Sequence, residues 1–198
     1  MTWVKVCGLT NHADVAAAVV AGADAIGFVN VPSSPRYVEL ADVQDLAREV
    51  PVHSILLTLD LEPDQALDAM RTTGVTGIQP YGRRSAEAAA AAVAAGYVVL
   101  YPVRAEPGLK LGGVAGIPLL DTPSQTSLGG TGTSFDWALA GELRERFVLA
   151  GGLGPANVSA AVHQVKPWGV DASSGLERSP GHKDHGMVAA FIAKAKRT

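Results

Sequence analysis

The sequence predicts an α/β protein of the (β/α)8 TIM-barrel class, a single domain spanning residues 1–198. Three observations predict it. Strand-like runs alternate with helical patterns from end to end, which argues for a parallel sheet. Eight such strands can be counted, mostly continuous apolar runs, as expected of strands buried on both faces. The last two run into Gly- and Ser-rich turns, Gly151-Gly152 and Ser173-Ser174-Gly175, where a barrel carries its phosphate loops. An open doubly wound sheet is the competing architecture. Eight evenly spaced units with anion loops on the last two favour closure. At 198 residues the chain is short for a barrel, so its loops must be minimal.

The elements follow in order. Trp3–Cys7 reads as the first strand, and Asn11–Ala21 as a helix with Asn11 as N-cap and Gly22 as its stop. Ala25–Val29 is the second strand and Leu40–Val50 the next helix. Val52–Thr58 is the third strand. Pro63–Thr72 is helical, with proline in the first turn and Gly74 beyond the end. Gly77–Gln79 is a brief fourth strand, and Arg84–Ala95 an Ala-rich helix stopped by Gly96. Tyr97–Val103 is the fifth strand. Ala105–Gly116 holds four glycines and a proline and is a poor helix candidate. Ile117–Asp121 is the sixth strand, followed by a helix over Phe135–Arg146. Phe147–Ala150 is the seventh strand, Pro155–Gln164 a helix, Gly169–Ala172 the eighth strand and Lys183–Arg197 the last helix.

Composition narrows the function classes. A net charge of −3 with no basic block gives nucleic-acid binding no electrostatic support. The single cysteine, Cys7, cannot form an internal disulfide, which fits a reducing compartment. No signal-peptide pattern opens the sequence, and no apolar run approaches ~18 residues. A cytoplasmic protein without membrane contact is expected.

In a barrel the C-terminal strand ends face the active site. Among the residues there, Cys7 and Asp121 are the two that can move protons near neutral pH. A buried cysteine is more often a small hydrophobe. Its place at a strand end before Gly8 argues for a base, provided positive charge or helix dipoles lower its pKa. Asp121 follows three apolar residues, where desolvation would raise its pKa and let it donate a proton. A thiol base and a carboxylic acid facing each other across a barrel mouth suit aldose–ketose isomerisation. Arg36, after the second strand, reads either as a solvated loop residue or as a fork for a substrate carboxylate. Gly129-Gly130-Thr131-Gly132 reads either as a flexible lid or as a further wall of the phosphate site. The five histidines show no metal spacing, and His182-Lys183-Asp184-His185 reads most simply as a polar helix start. No metal or other cofactor is expected.

Taken together, these residues resemble the phosphoribosylanthranilate isomerases, cofactor-free barrel enzymes of tryptophan biosynthesis. The resemblance covers nearly the whole chain. It rests on Lys5-Val6-Cys7-Gly8-Leu9-Thr10, on Gly27-Phe28-Val29 leading to Ser34-Pro35-Arg36, and on Leu119-Leu120-Asp121 before Gly129-Gly130-Thr131-Gly132 and Phe135-Asp136-Trp137. It continues through Leu149-Ala150-Gly151-Gly152-Leu153, Gly169-Val170-Asp171, Ser173-Ser174-Gly175-Leu176-Glu177 and Gly181-His182-Lys183-Asp184. The resemblance implies an Amadori rearrangement of N-(5-phosphoribosyl)anthranilate to a 1-deoxyribulose phosphate. Asp121 would then be the general acid and Cys7 the general base. Arg36 would meet the anthranilate carboxylate. Gly130, Thr131, Gly132, Gly151, Gly152, Asp171, Ser173, Ser174 and Gly175 would make up the rest of the substrate and phosphate site. The resemblance also implies a small phosphorylated substrate and, since the family includes both, a monomer or a homodimer.

The sequence departs from that pattern at the rim. Gln79-Pro80-Tyr81-Gly82 stands where the family usually reads Gln-Leu-His-Gly. Leu56-Leu57-Thr58-Leu59-Asp60 and Asn30 also differ from the usual residues. Two other readings remain open at this point. A related phosphosugar isomerase would typically carry a carboxylate, not Cys7, after the first strand. A catalytically weak barrel that senses phosphorylated metabolites has only the altered Gln79–Gly82 segment in its favour.

Overall fold

In a computed structural model, the structure describes residues 1–106, 108–109, 111, 113, 115–121, 140, 143 and 145–198. Eight parallel strands close into a barrel in chain order. They are β1 (Trp3–Cys7), β2 (Ala25–Val29), β3 (His53–Leu59), β4 (Gly77–Tyr81), β5 (Val98–Arg104), β6 (Ile117–Asp121), β7 (Val148–Leu149) and β8 (Gly169–Ala172). Around them lie α1 (His12–Val20), α2 (Leu40–Ala47), α3 (Pro63–Thr73), α4 (Ser85–Ala94), α5 (Val158–Val165) and α6 (His185–Arg197). Closure is made by β1 against β8, with Trp3 opposite Gly169, Lys5 opposite Asp171 and Val6 opposite Ala172. The closed barrel, not the open sheet, is therefore the architecture.

Side-chain alternation divides the interior from the shell. Val4, Val6, Ile26, Phe28, Leu56 and Ile78 point outward and pack with Val15, Val43, Leu46 and Met70 of the helices. The alternate residues Ala25, Ile55, Leu100, Leu119 and Val148 fill the lower barrel together with Trp3 and Trp168. Those two indoles stack with centroids 5.0 Å apart, sealing the end away from the strand C-termini.

The helix ends follow local chemistry. Asn11 caps α1 by accepting from the Asp14 N–H. Glu62 and Gln65 form a reciprocal capping box at α3, and Gly74 ends that helix in the left-handed conformation.

Some boundaries differ from the sequence reading. β4 runs on through Pro80 to Tyr81 because β3 pairs with it that far, Thr58 opposite Pro80 and Leu59 opposite Tyr81, whereas β5 pairs only at Gly77 and Ile78. A proline beyond that stretch costs no ladder bond on the β5 side. β7 has two residues rather than four, and α5 starts at Val158. The predicted helix start at Lys183 is corrected most. His182–Lys183 forms a short strand, β10, paired antiparallel with β9 (Glu177–Ser179). Asp184 is the true N-cap of α6, accepting from the Met187 N–H at 2.9 Å. The buried Lys183 side chain turns inward instead of continuing a helix. Most of the helix predicted over Phe135–Arg146 lies outside the described residues.

The loops after β7 and β8 touch. A Cβ built on Gly175 would run into the Leu153 carbonyl oxygen and crowd the Gly154 backbone. Gly175→Ala is expected to cost about 1–3 kcal/mol, the usual cost of overpacking. Chemical denaturation checks this, and an unmoved midpoint would show that the two loops can separate freely.

Candidate active site

One cleft of about 570 Å³, open solvent at its mouth included, lies at the C-terminal ends of the strands. Cys7, Arg36, Gln79, Tyr81, Asp121 and Asp171 line it, with Gly151–Leu153 and Ser173–Gly175. Every site residue expected from the sequence borders this cleft except Gly130, Thr131 and Gly132, which lie outside the described residues.

The floor is built on a buried ion pair. Lys5 sits two residues before Cys7 on the inward face of β1 and is fully buried. Its Nζ lies 2.9 Å from Asp171 Oδ2 and 3.0 Å from Gln79 Oε1. Burial pulls the Lys5 ammonium down, but the charges of Asp171 and Cys7 outweigh it and leave it above its ordinary value. Asp171 Oδ1 is buried and has no hydrogen-bond partner among the described residues. Such an acceptor is costly unless something donates to it.

Cys7 ends β1 with only 4 % of its surface exposed. Burial pushes its thiol above the ordinary value. Lys5 and Lys183 pull it down while Asp171 adds to the rise, and burial prevails. The lowered thiol pKa that the sequence reading required is therefore not found. Two cations are nonetheless in place to stabilise a thiolate.

On the opposite side, Asp121 ends β6. The Tyr81 hydroxyl lies 3.4 Å from Asp121 Oδ2 and 2.7 Å from Gln79 Nε2. Gln79 thus joins Lys5, beside Cys7, to Tyr81, beside Asp121.

Above the floor, Arg36 makes a two-pronged bridge to Glu177, Nε to Oε1 at 2.8 Å and Nη2 to Oε2 at 2.7 Å. Lys183 Nζ donates to the same Oε1 at 2.8 Å and to the Ser173 carbonyl at 3.1 Å. Burial raises the Glu177 carboxyl, yet the hydrogen bonds from Arg36 and Lys183 win and hold it below the usual glutamate range. Asp14, which ties α1 to β10 through the Lys183 N–H at 2.9 Å, is held low in the same way against its own burial.

The two turns have the backbone that close approach to an anion needs. Gly151 and Gly152 both have positive φ, 82° and 65°. Asn157 holds the following turn, accepting from the Gly154 N–H at 2.8 Å and donating to the Gly152 carbonyl at 2.9 Å. Among the described residues no group of three or more His, Cys, Asp or Glu could hold a metal ion. None of the described helices is long and apolar enough to cross a membrane.

Residues 4–194 match the family model of N-(5'-phosphoribosyl)anthranilate isomerase. The chain belongs to that family. A relative of that name from Halobacterium salinarum is 41% identical over 212 residues, covering 100% of this chain and 97% of the relative. The crystal structure of phosphoribosyl anthranilate isomerase from Thermotoga maritima superimposes with a TM-score of 0.89 at 34% identity, covering 100% of both chains. A phosphoribosyl anthranilate isomerase structure in complex with reduced 1-(o-carboxyphenylamino)-1-deoxyribulose 5-phosphate gives a TM-score of 0.85 at 33% identity over 100% of both chains. The family isomerases and this chain share the closed barrel over its full length.

The sequence reading assigns no role to Lys5, Glu177 or Lys183, which occur in it only within longer motifs, and it names Gln79 only as a strand-end residue of the altered Gln79–Gly82 segment. Lys5 could have been given one: a charge inside the apolar run Val4-Lys5-Val6 needs a buried partner. Asp171, inside Gly169-Val170-Asp171-Ala172, is the complementary signal on the strand that closure brings alongside.

Two outcomes follow from these networks. Lys5→Met leaves the Asp171 carboxylate buried and unpaired, and is expected to cost about 3–5 kcal/mol. Lys5→Met with Asp171→Leu should recover most of that loss in urea denaturation. A double variant as unstable as the single one would remove the pair from the account of stability. The second outcome concerns acid. A carboxyl depressed in the folded state contributes stability above its unfolded pKa, about 4.3 for glutamate, that is lost as pH falls through the folded value. Glu177→Gln should therefore flatten the stability profile below about pH 4.3, read from denaturation midpoints across the acid range.

Proposed function

We propose that the protein converts N-(5'-phosphoribosyl)anthranilate to 1-(2-carboxyphenylamino)-1-deoxyribulose 5-phosphate, with Asp121 as general acid and Cys7 as general base. The observation that carries the reading is the cleft of a family member lined by both Cys7 and Asp121, with the turns Gly151–Gly152 and Ser173–Gly175 beside them. The 5'-phosphate would bind at Gly151, Gly152, Ser173, Ser174 and Gly175. Arg36, held edge-on by Glu177, would present Nη1 to the anthranilate carboxylate. The unpartnered Asp171 Oδ1 would accept from a sugar hydroxyl, which satisfies the acceptor only when substrate is bound.

In the first step Asp121 gives its proton to the furanose ring oxygen as the C1–O bond breaks. The bond's electron pair stays on that oxygen, and the nitrogen lone pair forms the C1=N bond of a protonated Schiff base. Cys7, as thiolate, then takes the proton from C2. The C2–H electron pair becomes the C1=C2 bond of an enolamine and the iminium is neutralised. Gain of a proton at C1 and loss of one from the C2 hydroxyl give the ketone. No oxidant or reductant is consumed, so no redox cofactor is needed.

Loss of substrate fluorescence on mixing freshly generated phosphoribosylanthranilate with the protein in EDTA tests the reading. Cys7→Ser and Asp121→Asn should each lower kcat by about 10²-fold or more, the usual worth of a positioned acid or base. Full activity in either variant removes that residue from the mechanism. No turnover by the parent, with the product still bound, favours a phosphometabolite sensor.

A further inference from the structure

The polar side chains on the floor of the cleft form one chain, and its direction is set by chemistry. An ammonium can only donate. The 3.0 Å contact from Lys5 Nζ therefore turns the Gln79 carboxamide oxygen toward β1 and its NH2 toward Tyr81. At 2.7 Å the Tyr81 hydroxyl accepts from that NH2. A phenol has a single proton, and the neighbour left to receive it is Asp121 Oδ2, 3.4 Å away.

We propose that Tyr81 is a positioning residue of Asp121: it donates to Oδ2, so that the proton of the acid sits on Oδ1, and it stabilises the carboxylate that forms as this proton leaves for the substrate. The proposal rests on the assignment of Asp121 as general acid. At 3.4 Å the contact is long for an O–H donor. It strengthens when the acceptor becomes charged, so its benefit is realised as the reaction proceeds. Tyr81 stays a donor throughout, because burial, then the charge of Asp121, pushes its phenol well above the ordinary value. The other charged or titratable groups about the pair are few among the described residues. At the end of β5 lies Arg104, opposite Asp121 in register, and just beyond the strand Glu106, paired to Arg104 at 3.0 Å. Across the cleft they are Cys7, Lys5 and Asp171. The simpler role for Tyr81 is packing, since it also lies against Cys7, Val29 and Leu57.

Carbon NMR of the protein labelled at the aspartate side-chain carboxyls separates the two roles, because packing alone does not set a titration. The Asp121 resonance is the one missing from Asp121→Asn. Tyr81→Phe is expected to raise its midpoint by about one pH unit, since the ionised form loses a donor. It should also lower kcat about tenfold, with KM changed less than about twofold. Gln79→Glu supplies an acceptor to both Lys5 and Tyr81, so the phenol turns away from Asp121 and the midpoint rises again. In the Tyr81→Phe background the same change should raise it less, because only the added charge remains to act. An Asp121 midpoint unmoved by Tyr81→Phe overturns the proposal, and so does a Gln79→Glu shift of equal size in both backgrounds. Should Tyr81→Phe not fold, Gln79→Glu alone carries the test, and an unmoved midpoint overturns the proposal. An active parent with Asp121→Asn fully active overturns the acid assignment instead. An active, Asp121-dependent parent with midpoint and kcat indifferent to Tyr81→Phe overturns only the role of Tyr81.

Discussion

The ion pair between Lys5 and Asp171 is the contact on which the rest of the cleft depends. Its partners come from the first and last strands, in direct register across the seam that closes the barrel. Neither charge could stay buried in an open sheet, where β1 and β8 would lie far apart. A buried ion pair adds little net stability over well-packed apolar side chains, but one partner without the other is strongly unfavourable. The pair therefore acts as a condition on topology: it disfavours arrangements that leave the seam open. The same ammonium orients Gln79 and lies beside Cys7, so closure and the polarity of the site share one side chain.

The barrel interior is divided by this pair. Below it the filling is apolar, down to the stacked Trp3 and Trp168. Above it, inward positions carry Cys7, Gln79 and Tyr81, and the strand ends carry Asp121. Inward and outward residues alternate at every strand, so one β-register decides both the core and the site. The Arg36–Glu177–Lys183 network ties the loop after β2 to the hairpin after β8 in the same way. A salt-bridged guanidinium has lost most of its rotamer freedom before any ligand arrives, which lowers the cost of using it for recognition.

Much of this was legible in the sequence. Strand–helix alternation, the paired glycine turns and the positions of Cys7 and Asp121 are local signals, and local signals survive in one dimension. β1, β2, β6 and β8 have the predicted bounds. The sequence reading ends β4 at Gln79, before Pro80: proline is a local breaker, and the strand pairing that tolerates it is not local. The polar run His182–His185 looked like a helix start because its partners, Glu177, Ser173 and Asp14, are fixed only by the fold. Arg36 was legible as a candidate, but its bridge to Glu177, 141 residues away, was not. Tyr81 registered only as a departure from the family pattern, and its use emerges from the direction of the Lys5–Gln79 hydrogen bond.

The raised thiol of Cys7 sets the sharpest constraint on the proposed chemistry. A base above its ordinary pKa is mostly protonated at neutral pH, which lowers the reactive fraction. The thiolate that does form is a correspondingly stronger base, and removal of a carbon-bound proton requires one. In the proposed sequence the compensation comes from the substrate. Protonation of the ring oxygen by Asp121 creates a cationic Schiff base at C1, adjacent to the carbon that Cys7 must deprotonate. A positive charge there favours the thiolate by the same physics as Lys5 and Lys183, and it arrives only after the acid has acted. Acid and base on opposite walls are then coupled through the substrate itself: the first proton transfer prepares the group that makes the second. Burial of Cys7, unfavourable to the thiolate by itself, makes that coupling stronger, because charges interact most where water is excluded.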